Sequence, residues 1–522
     1  MSGRLLMLGV DGLDWMLMNQ WAAQGRMPVL HKLLAESRAL LFREPNRLLP
    51  GSIWTDIATG ASAAFHGFQN SEQLVPNSYR FDFVDSSHVA VAPFYKFLSD
   101  AGVRCAVVDF PVDYPLPAFN GIQVVDWGTE FKLWHFETRP KSLAAELVAT
   151  YGEHPLTNYG HTRNSVPQLL ALKHTLLRGL EMKRRLAVDL VRERKYEFVF
   201  LNFGELHKAG HFFWRFHDRK HPDFTDEEPQ MVHSLREMYE AMDRAVGSVL
   251  EPLGSEDDLV LVTDRGMYAD HRGDHLIDEI LLKLELAIPR HQPPVRTSSV
   301  SWRRRLFSGR RVTRVLQFVG RRLLPHAVKE ALSPLHRAAV GALPPWDWHR
   351  TKVFRLPTVG NSYLRINLAG REPLGCVSPG AEYEALLSQL AAQFHDLVIP
   401  ETGERAVEDV YFPAKQLPGP KAAELPDVAI VWNASAPIIA VTSNAIGTIS
   451  GQPDSDRSGN HRPDGFALFR GPSFAAGAGT HDGDARQIAP TILNRFGVEL
   501  PEHCEMHAPA AIVKLSSQNR IA

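Results

Sequence analysis

Residues 196–211, YEFVFLNFGELHKAGH, combine an apolar run with a pair of histidines. The first half is short and without helical period, which is typical of a buried β-strand. The second half places His207 and His211 four residues apart, and a helical turn would bring them to one side, close enough to share an ion. In a chain with 23 histidines such a pair is weak evidence alone, so the rest of the chain has to supply partners.

Similar apolar runs recur along the first part of the chain and alternate with helical patterns. They cover residues 5–10, 105–110, 198–203 and 259–262. Between the last two, residues 231–249 repeat apolar side chains every three or four positions, which predicts an amphipathic helix. This alternation favours a mostly parallel sheet with helices on both faces. Functional residues of such sheets gather beyond the carboxyl ends of the strands, where Asp11, His207 and Asp264 fall.

Composition and charge narrow the class of protein. The 522 residues are 44% hydrophobic, with a formal net charge of −2, so no global charge attracts nucleic acid or anionic lipid. The three cysteines lie far apart without a Cys-x-x-Cys pair, which disfavours a disulfide framework or a thiolate metal cluster. No run approaches the ~20 apolar residues of a membrane span. We therefore predict a cytoplasmic protein without a nucleic-acid partner.

Changes in composition divide the chain into four predicted parts. They are an α/β core at 1–289, a basic helical insertion at 290–348, a small α/β subdomain at 349–425 and the rest of the core at 426–522. Within the insertion, residues 301–337 hold ten Lys or Arg and one Glu. Three interpretations of this segment stay open: a solvated helix on the core, contact with a membrane surface, or a lid that attracts an anionic substrate.

Four further residues extend the candidate site. His461, in the turn-rich segment SGNHRPDG, is a candidate third imidazole for one metal ion. Asp11 and Asp264 each follow a predicted strand, where they would repel one another unless a cation lies between them. Ser52 precedes a predicted helix, where its hydroxyl suits either a helix cap or a nucleophile.

The order of several motifs resembles a known family. The motifs are GVDGLDW, WTDIATGASAAFHG, GHFFWRFHD, TDRGM and HRPDGFALFRGP. Together they resemble the type I phosphodiesterase/nucleotide pyrophosphatase branch of the alkaline phosphatase superfamily. The resemblance implies an alkaline-phosphatase-like fold, with a mostly parallel central sheet flanked by helices. It also implies one or two divalent metal ions, zinc being favoured, and a Ser or Thr nucleophile that forms a covalent intermediate.

The resemblance assigns roles to particular residues. Asp11, His211, Asp264 and His461 match metal ligands of the family, and Asn70 is a candidate donor to a phosphate oxygen. Three positions depart from the pattern. His207 stands where the family has an aspartate ligand, and Arg265 stands where the family has a histidine ligand, although a guanidinium cannot bind a metal. The family's nucleophile position falls on Pro50, which leaves Ser52 as the nearest hydroxyl.

These observations predict a metal-dependent hydrolase of a small phosphate-ester substrate. The predicted roles are catalytic for Ser52 and Arg265, substrate-binding for Asn70, and metal-binding for Asp11, His207, His211, Asp264 and His461. Two alternatives stay open, a non-catalytic relative that acts as a binding protein and a sulfuryl or phosphonate hydrolase or transferase on the same scaffold. The sulfatase version is disfavoured because no Cys-x-Pro-x-Arg motif lies near Ser52. The substrate's identity and the oligomeric state are left open.

Overall fold

A computed structural model gives the structure of the protein. It describes residues 3–42, 47–129, 134–158, 165–290, 346–358, 361–453 and 457–514. The basic segment at 301–337 lies outside the described residues, as does nearly all of the insertion predicted at 290–348. The three interpretations of this segment, a solvated helix, contact with a membrane surface or a lid, therefore stay open.

The strands of the described residues are short and mostly buried. In chain order they are β1 (Leu5–Val10), β2 (Arg38–Phe42), β3 (Glu72–Leu74), β4 (Phe81–Phe83), β5 (Cys105–Val108), β6 (Gly121–Val125), β7 (Glu137–Arg139), β8 (Phe198–Phe203), β9 (Asp258–Thr263), β10 (Gly266–Ala269), β11 (Val353–Leu356), β12 (Ser362–Ile366), β13 (Val407–Tyr411), β14 (Val428–Trp432), β15 (Ala440–Ser443), β16 (Gly447–Ser450), β17 (Gly459–Arg462), β18 (Gly465–Arg470) and β19 (Gly479–Asp482).

The helices of the described residues lie mainly between these strands. They are α1 (Trp15–Ala23), α2 (Pro28–Glu36), α3 (Ile53–Thr59), α4 (Ala63–His66), α5 (Phe94–Asp100), α6 (Leu143–Tyr151), α7 (Val166–Glu193), α8 (Glu205–His217), α9 (Ser234–Leu250), α10 (Ile277–Lys283), α11 (Ala381–His395), α12 (Pro413–Gln416) and α13 (Ile488–Arg495).

The central sheet has nine described strands in the order β19-β2-β18-β9-β1-β8-β5-β6-β7. Strand β1 lies in the middle and is parallel to both neighbours, β8 and β9. Strand β5 continues the parallel run between β8 and β6, whereas β18 is antiparallel to β2 and β9. The predicted α/β class with a mostly parallel central sheet is confirmed.

Helices cover both faces of this sheet, as alternation along β1 shows. Leu6 and Leu8 belong to one apolar cluster with residues of α1, α2, α7, α8 and α9. Leu5 and Met7 point to the other face and join a cluster with residues of α3, α5 and α13. Because successive side chains of a strand point to opposite faces, a β1 buried on both sides reads as one continuous apolar run.

A second, smaller sheet corrects one predicted boundary. It has the order β11-β12-β14-β13 and packs with α11 in an apolar cluster of its own. Strand β14 (Val428–Trp432) was predicted in the core part that begins at residue 426, but it pairs antiparallel with β12 and β13. The prediction was wrong because a buried apolar strand looks the same in either sheet, and its partners are distant in sequence. Within the described residues, no helix combines the length and apolarity that a bilayer crossing requires.

Candidate metal centre

The candidate centre lies at the carboxyl edge of the three middle strands. Strand β1 ends just before Asp11, β8 leads into α8, which carries His207 and His211, and β9 ends just before Asp264. Because β8, β1 and β9 are parallel neighbours, these side chains share one edge of the sheet. His461 comes from β17, which pairs with β10 directly after β9 and sets His461 opposite Met267.

Three imidazoles converge at this edge. His207 Nε2 lies 3.0 Å from His211 Nε2 and 2.8 Å from His461 Nε2. One ligand nitrogen from each ring can be chosen so that all three lie within 4.8 Å of one another. A tetrahedral zinc ion separates its ligand nitrogens by about 3.3 Å, given Zn–N bonds of about 2.0–2.1 Å. The described residues of this cluster therefore suit a single divalent cation.

Hydrogen bonds on the far side of two rings fit them for metal binding. His211 Nδ1 lies 2.8 Å from the Gly459 carbonyl oxygen, which can only accept, so this nitrogen carries the proton. His207 Nδ1 lies 2.9 Å from Asp11 Oδ2, which accepts in the same way. Both arrangements leave an Nε2 lone pair on the side of the cluster, and an oxygen acceptor behind a metal-binding imidazole is the usual supporting contact.

Two glycines allow the elements to approach closely enough to build the cluster. Gly12 has φ +75°, and a Cβ there would lie 2.7 Å from His207 Cα. A Cβ on Gly459 would lie 2.1 Å from the Gly210 carbonyl oxygen. Only glycine fits both positions, because any side chain would separate α8 from β1 or from β17.

Asp264 and Arg265 occupy the space beside the imidazoles. Arg265 Nε donates to Asp264 Oδ2 in a close ion pair, and Arg265 Nη1 lies 3.2 Å from His461 Nδ1. Asp264 also interacts with the side chain of Asp11. The guanidinium thus sets a fixed positive charge next to two carboxylates that would otherwise repel one another.

Burial shapes the protonation of the centre. It is the main reason that the pKa of His211 and the pKa of His461 lie well below their usual range, and nearby positive charges act in the same direction. Neutral rings keep the lone pairs that a metal requires. Burial also raises the pKa of Asp264 to about 7, with a further contribution from the neighbouring Asp11 carboxylate.

The predicted nucleophile, Ser52, has its hydrogen bonds outside the imidazole cluster. Ser52 precedes α3 and is buried, and its Oγ lies 3.0 Å from the Leu49 carbonyl oxygen and 3.2 Å from Asp56 Oδ2, so its single proton can be donated to either acceptor. The other oxygen of Asp56 lies 2.7 Å from His66 Nε2. Burial raises the pKa of Asp56, which favours it as a proton acceptor.

Asn70, the predicted phosphate donor, also makes local contacts. Its Oδ1 accepts from the backbone N–H of Ser71 at 2.8 Å. Asn70 lines a narrow cleft between the core and the small sheet, together with Leu356 and Tyr363. Ser52 and Asn70 thus form their hydrogen bonds with residues near them in the chain. The fold gathers six residues at the sheet edge: Asp11, His207, His211, Asp264, Arg265 and His461.

One residue of the centre was missed from the sequence. Arg457 Nη1 lies 3.2 Å from His211 Nε2, the nitrogen that faces the other two rings. An arginine four residues before His461 is not by itself a signal of a site. Its contact with α8 depends on the pairing of β17 with β10, which joins segments far apart in sequence.

Three comparisons relate this chain to known proteins. The profile of the type I phosphodiesterase / nucleotide pyrophosphatase family matches residues 5–431. Among solved structures, the chain is similar to murine ectonucleotide pyrophosphatase / phosphodiesterase 5, with 11% identity and a TM-score of 0.45, over 96% of each chain. A search of curated proteins found no match.

Proposed function

This chain belongs to the type I phosphodiesterase / nucleotide pyrophosphatase family, and we propose that it hydrolyses phosphate esters with the help of one divalent cation. At the level of the family, the chain is a phosphoric ester hydrolase. The finer proposal is that His207, His211 and His461 hold a single ion, with zinc favoured because neutral imidazoles suit it. The observation that carries it is the convergence of these three rings within hydrogen-bonding distance.

The second cation position of the family is taken by a side chain in this proposal. Arg265 contacts both Asp264 and His461, so its guanidinium supplies permanent positive charge where a second ion would need another ligand. A guanidinium also presents a planar fork of donors that suits phosphoryl oxygens. Arg265 would therefore hold the phosphoryl group of the ester.

The remaining residues orient the site and move the proton. Asp11 holds the His207 ring through Nδ1, and the Gly459 carbonyl holds the His211 ring. When bound, a divalent cation supplies Lewis-acid charge to the phosphoryl oxygens and the nucleophile. Ser52 Oγ would attack phosphorus as its proton passes to Asp56, and the bond from phosphorus to the ester oxygen would break. The departing oxygen would take a proton from water and leave as the alcohol. A second water would then hydrolyse the phosphoserine, which releases the phosphate product and restores the Ser52 hydroxyl.

A second candidate function is a binding protein without turnover. It is favoured by Pro50, which replaces the family's nucleophile with a residue that has no hydroxyl, and by the bonds that turn Ser52 toward Leu49 and Asp56. The sulfuryl or phosphonate alternative finds no specific support among the described residues, and a panel of sulfate, phosphonate and phosphate esters tests it directly.

Metal content and hydrolysis, measured together, test the proposal. We expect about one equivalent of zinc per chain and turnover of an aryl phosphate ester that chelation abolishes and zinc restores. Replacing His207, His211 and His461 together by Ala should remove both the zinc and the turnover. His31→Ala, at an exposed position on α2, is the matched control. One bound zinc with no turnover of any ester would favour the binding protein, and no zinc would refute the proposed centre.

A further inference from the structure

Tyr363 brings a buried hydroxyl group to the cleft between the core and the small sheet. It lies on β12 opposite Leu356 of β11, and both residues line the cleft together with Asn70. Tyr363 is only 2% exposed, and its hydroxyl has no hydrogen-bond partner among the described residues. A buried hydroxyl without a partner costs the folded state free energy, so a phenylalanine would pack at least as well. Packing therefore explains the ring of Tyr363 but not its hydroxyl.

The cleft adjoins the segment that carries Ser52. Gly51 packs against one wall of the cleft, because an added Cβ would lie 2.3 Å from the Gln69 carbonyl oxygen and 3.8 Å from Asn70 Cα. Leu49, whose carbonyl lies 3.0 Å from Ser52 Oγ, belongs to the same apolar cluster as Tyr363. The small sheet is thus packed directly on the segment of the candidate nucleophile.

Arg265 links the cleft to the candidate metal centre. Burial raises the pKa of the Tyr363 hydroxyl above its usual range, and the positive charge of Arg265 opposes this rise. The hydroxyl therefore keeps its proton at neutral pH and is available as a donor. Its position within the field of Arg265 sets it on the side of the cleft that faces the imidazoles.

Asn70 offers a second donor in the same cleft. Its Oδ1 accepts from the backbone N–H of Ser71, which can only donate, so the orientation of the amide is fixed. Among the described residues, no hydrogen bond involves the Asn70 Nδ2 group. Two neutral donors, Tyr363 and Asn70, therefore line one cleft.

Charge and size narrow the group that these donors suit. Glu72 and Glu424 also line the cleft, and Lys421, 3.9 Å from Glu424, offsets only part of their negative charge. A second anionic group is therefore disfavoured there. The free volume is about 10 Å³, close to the space of one water molecule or one hydroxyl group. A neutral hydroxyl fits both limits, since it accepts from Tyr363 or Asn70 and can donate to a carboxylate.

We propose that Tyr363 donates a hydrogen bond to a hydroxyl group on the alcohol part of the ester, so that the site prefers phosphate esters of polyols. The inference rests on the proposed function because it names the substrate class of the same site. The phosphoryl group stays at the imidazoles and Arg265, and the hydroxylated alcohol extends into the cleft. Tyr363 is a substrate-binding residue in this scheme.

The test uses two ligands that differ only in two hydroxyl groups, glycerol 1-phosphate and propyl phosphate. Calorimetry measures their binding to the full-length, zinc-loaded protein at neutral pH. We expect the wild type to bind glycerol 1-phosphate about 3- to 10-fold more tightly, the effect of one neutral hydrogen bond. Tyr363→Phe should weaken the binding of glycerol 1-phosphate by the same factor and leave that of propyl phosphate unchanged.

Tyr383→Phe is the matched control. The Tyr383 hydroxyl, on α11, donates to Asp427 Oδ1 at 2.7 Å, so its loss removes a hydrogen bond of the fold. This variant should lower the midpoint of urea unfolding and keep both affinities. Tyr363→Phe should leave the midpoint unchanged or raise it, because no hydrogen bond among the described residues is lost. The pair of variants thus separates a role in binding from a role in folding.

Four results would overturn the inference: no binding of either ligand, equal wild-type affinity for both, equal losses for both in Tyr363→Phe, or no change in that variant, as expected if the hydroxyl binds only an ordered water. Hydrolysis of an aryl phosphate ester is measured separately. Turnover without a preference for glycerol 1-phosphate refutes this inference alone. A preference that Tyr363→Phe abolishes, without turnover of any ester, supports the role of Tyr363 and refutes the hydrolase.

Discussion

Arg265 Nη1 lies 3.2 Å from His461 Nδ1, so a permanent cation contacts the back of one of the three converging imidazoles. The guanidinium only donates, and His461 Nδ1 is therefore the acceptor. His461 therefore carries its proton on Nε2 and donates it to His207 Nε2. A cation bound at His461 Nε2 must displace that proton or turn the Arg265 guanidinium away. In the proposed function, Arg265 would thus replace a second ion and oppose the binding of the first.

Arg265→His should create a second metal position. An imidazole offers the lone pair that the guanidinium lacks, and Asp11 and Asp264 already lie beside it. We expect metal content to rise from about one to about two zinc equivalents per chain, measured by elemental analysis after dialysis. Arg265→Gln removes the same charge without adding a ligand, so its zinc content should stay near one equivalent per chain. Equal stoichiometry in the two variants would contradict the assignment of this position.

Asp11→Asn should weaken metal binding. The carboxylate holds the His207 ring through a 2.9 Å contact to Nδ1, and losing its charge should cost about 10- to 100-fold in zinc affinity. Competition with a chromophoric chelator measures it. Asp243→Asn is the control, because Asp243 accepts from the backbone of Leu30 in another buried position. Unchanged affinity in Asp11→Asn would show that this contact does not support the site.

Ser52→Ala should separate catalysis from folding. If Ser52 is the nucleophile, turnover falls by at least about 100-fold while zinc content stays at the wild-type level. Loss of its hydrogen bonds should lower the free energy of unfolding by only about 1 kcal/mol. Ser37→Ala, another buried serine, controls for the truncation. Wild-type turnover in Ser52→Ala would exclude it as the nucleophile.

Gly12→Ala should damage the centre through packing. Its Cβ would lie 2.7 Å from His207 Cα and would push α8 away from the end of β1. Gly25→Ala is a close control, because Gly25 has φ +73° and no atom within 4 Å of an added Cβ. Both should lose about 1 kcal/mol from the left-handed backbone, and Gly12→Ala should lose about 1–3 kcal/mol more, together with zinc affinity. Urea unfolding and zinc titration measure both effects, and equal losses in the two variants would contradict the predicted clash.

Asp113 should make stability fall as pH rises. Burial raises the pKa of Asp113 from 3.8 to about 7. In this buried site the Asp113 carboxyl accepts hydrogen bonds from Tyr95 and Gln123. Between these two pH values the folded state holds a proton that the unfolded state has lost, so the free energy of unfolding decreases with pH. The contribution is on the order of 4 kcal/mol. Asp113→Asn removes this titration, and urea unfolding of both proteins at pH 4 and pH 8 should show the variant gaining relative to the wild type. Parallel pH curves would contradict it.

Much of the fold was predictable because short apolar runs in the sequence indicate the buried strands. Residues 5–10, 198–203 and 259–262 contain the strands β1, β8 and β9 or overlap them closely, and each reads as a continuous apolar run. Parallel neighbours share a carboxyl edge, so the sequence alone predicts that Asp11, His207 and Asp264 lie close together. Four-residue spacing likewise predicts the proximity of His207 and His211.

The rest depended on pairing between distant segments. Nothing in the sequence of β14 indicates that it joins the small sheet, because its burial is the same in either location. The hydroxyl of Ser52 has several local acceptors, and only packing selects Leu49 and Asp56. Arg457 contacts His211 across 246 positions of chain, a separation at which no periodicity gives a signal.

The sequence alone established the strand–helix alternation, the polar residues at the strand ends and the family resemblance. Each of these features can be recognised from residues that are close together in the chain. Tertiary structure alone settled that three imidazoles meet, that an arginine contacts the third of them from behind, and that a second arginine approaches from solvent. The physical reason is that such contacts depend on which strands become neighbours and on the space that glycines leave between them. Those relations arise only when the whole core packs.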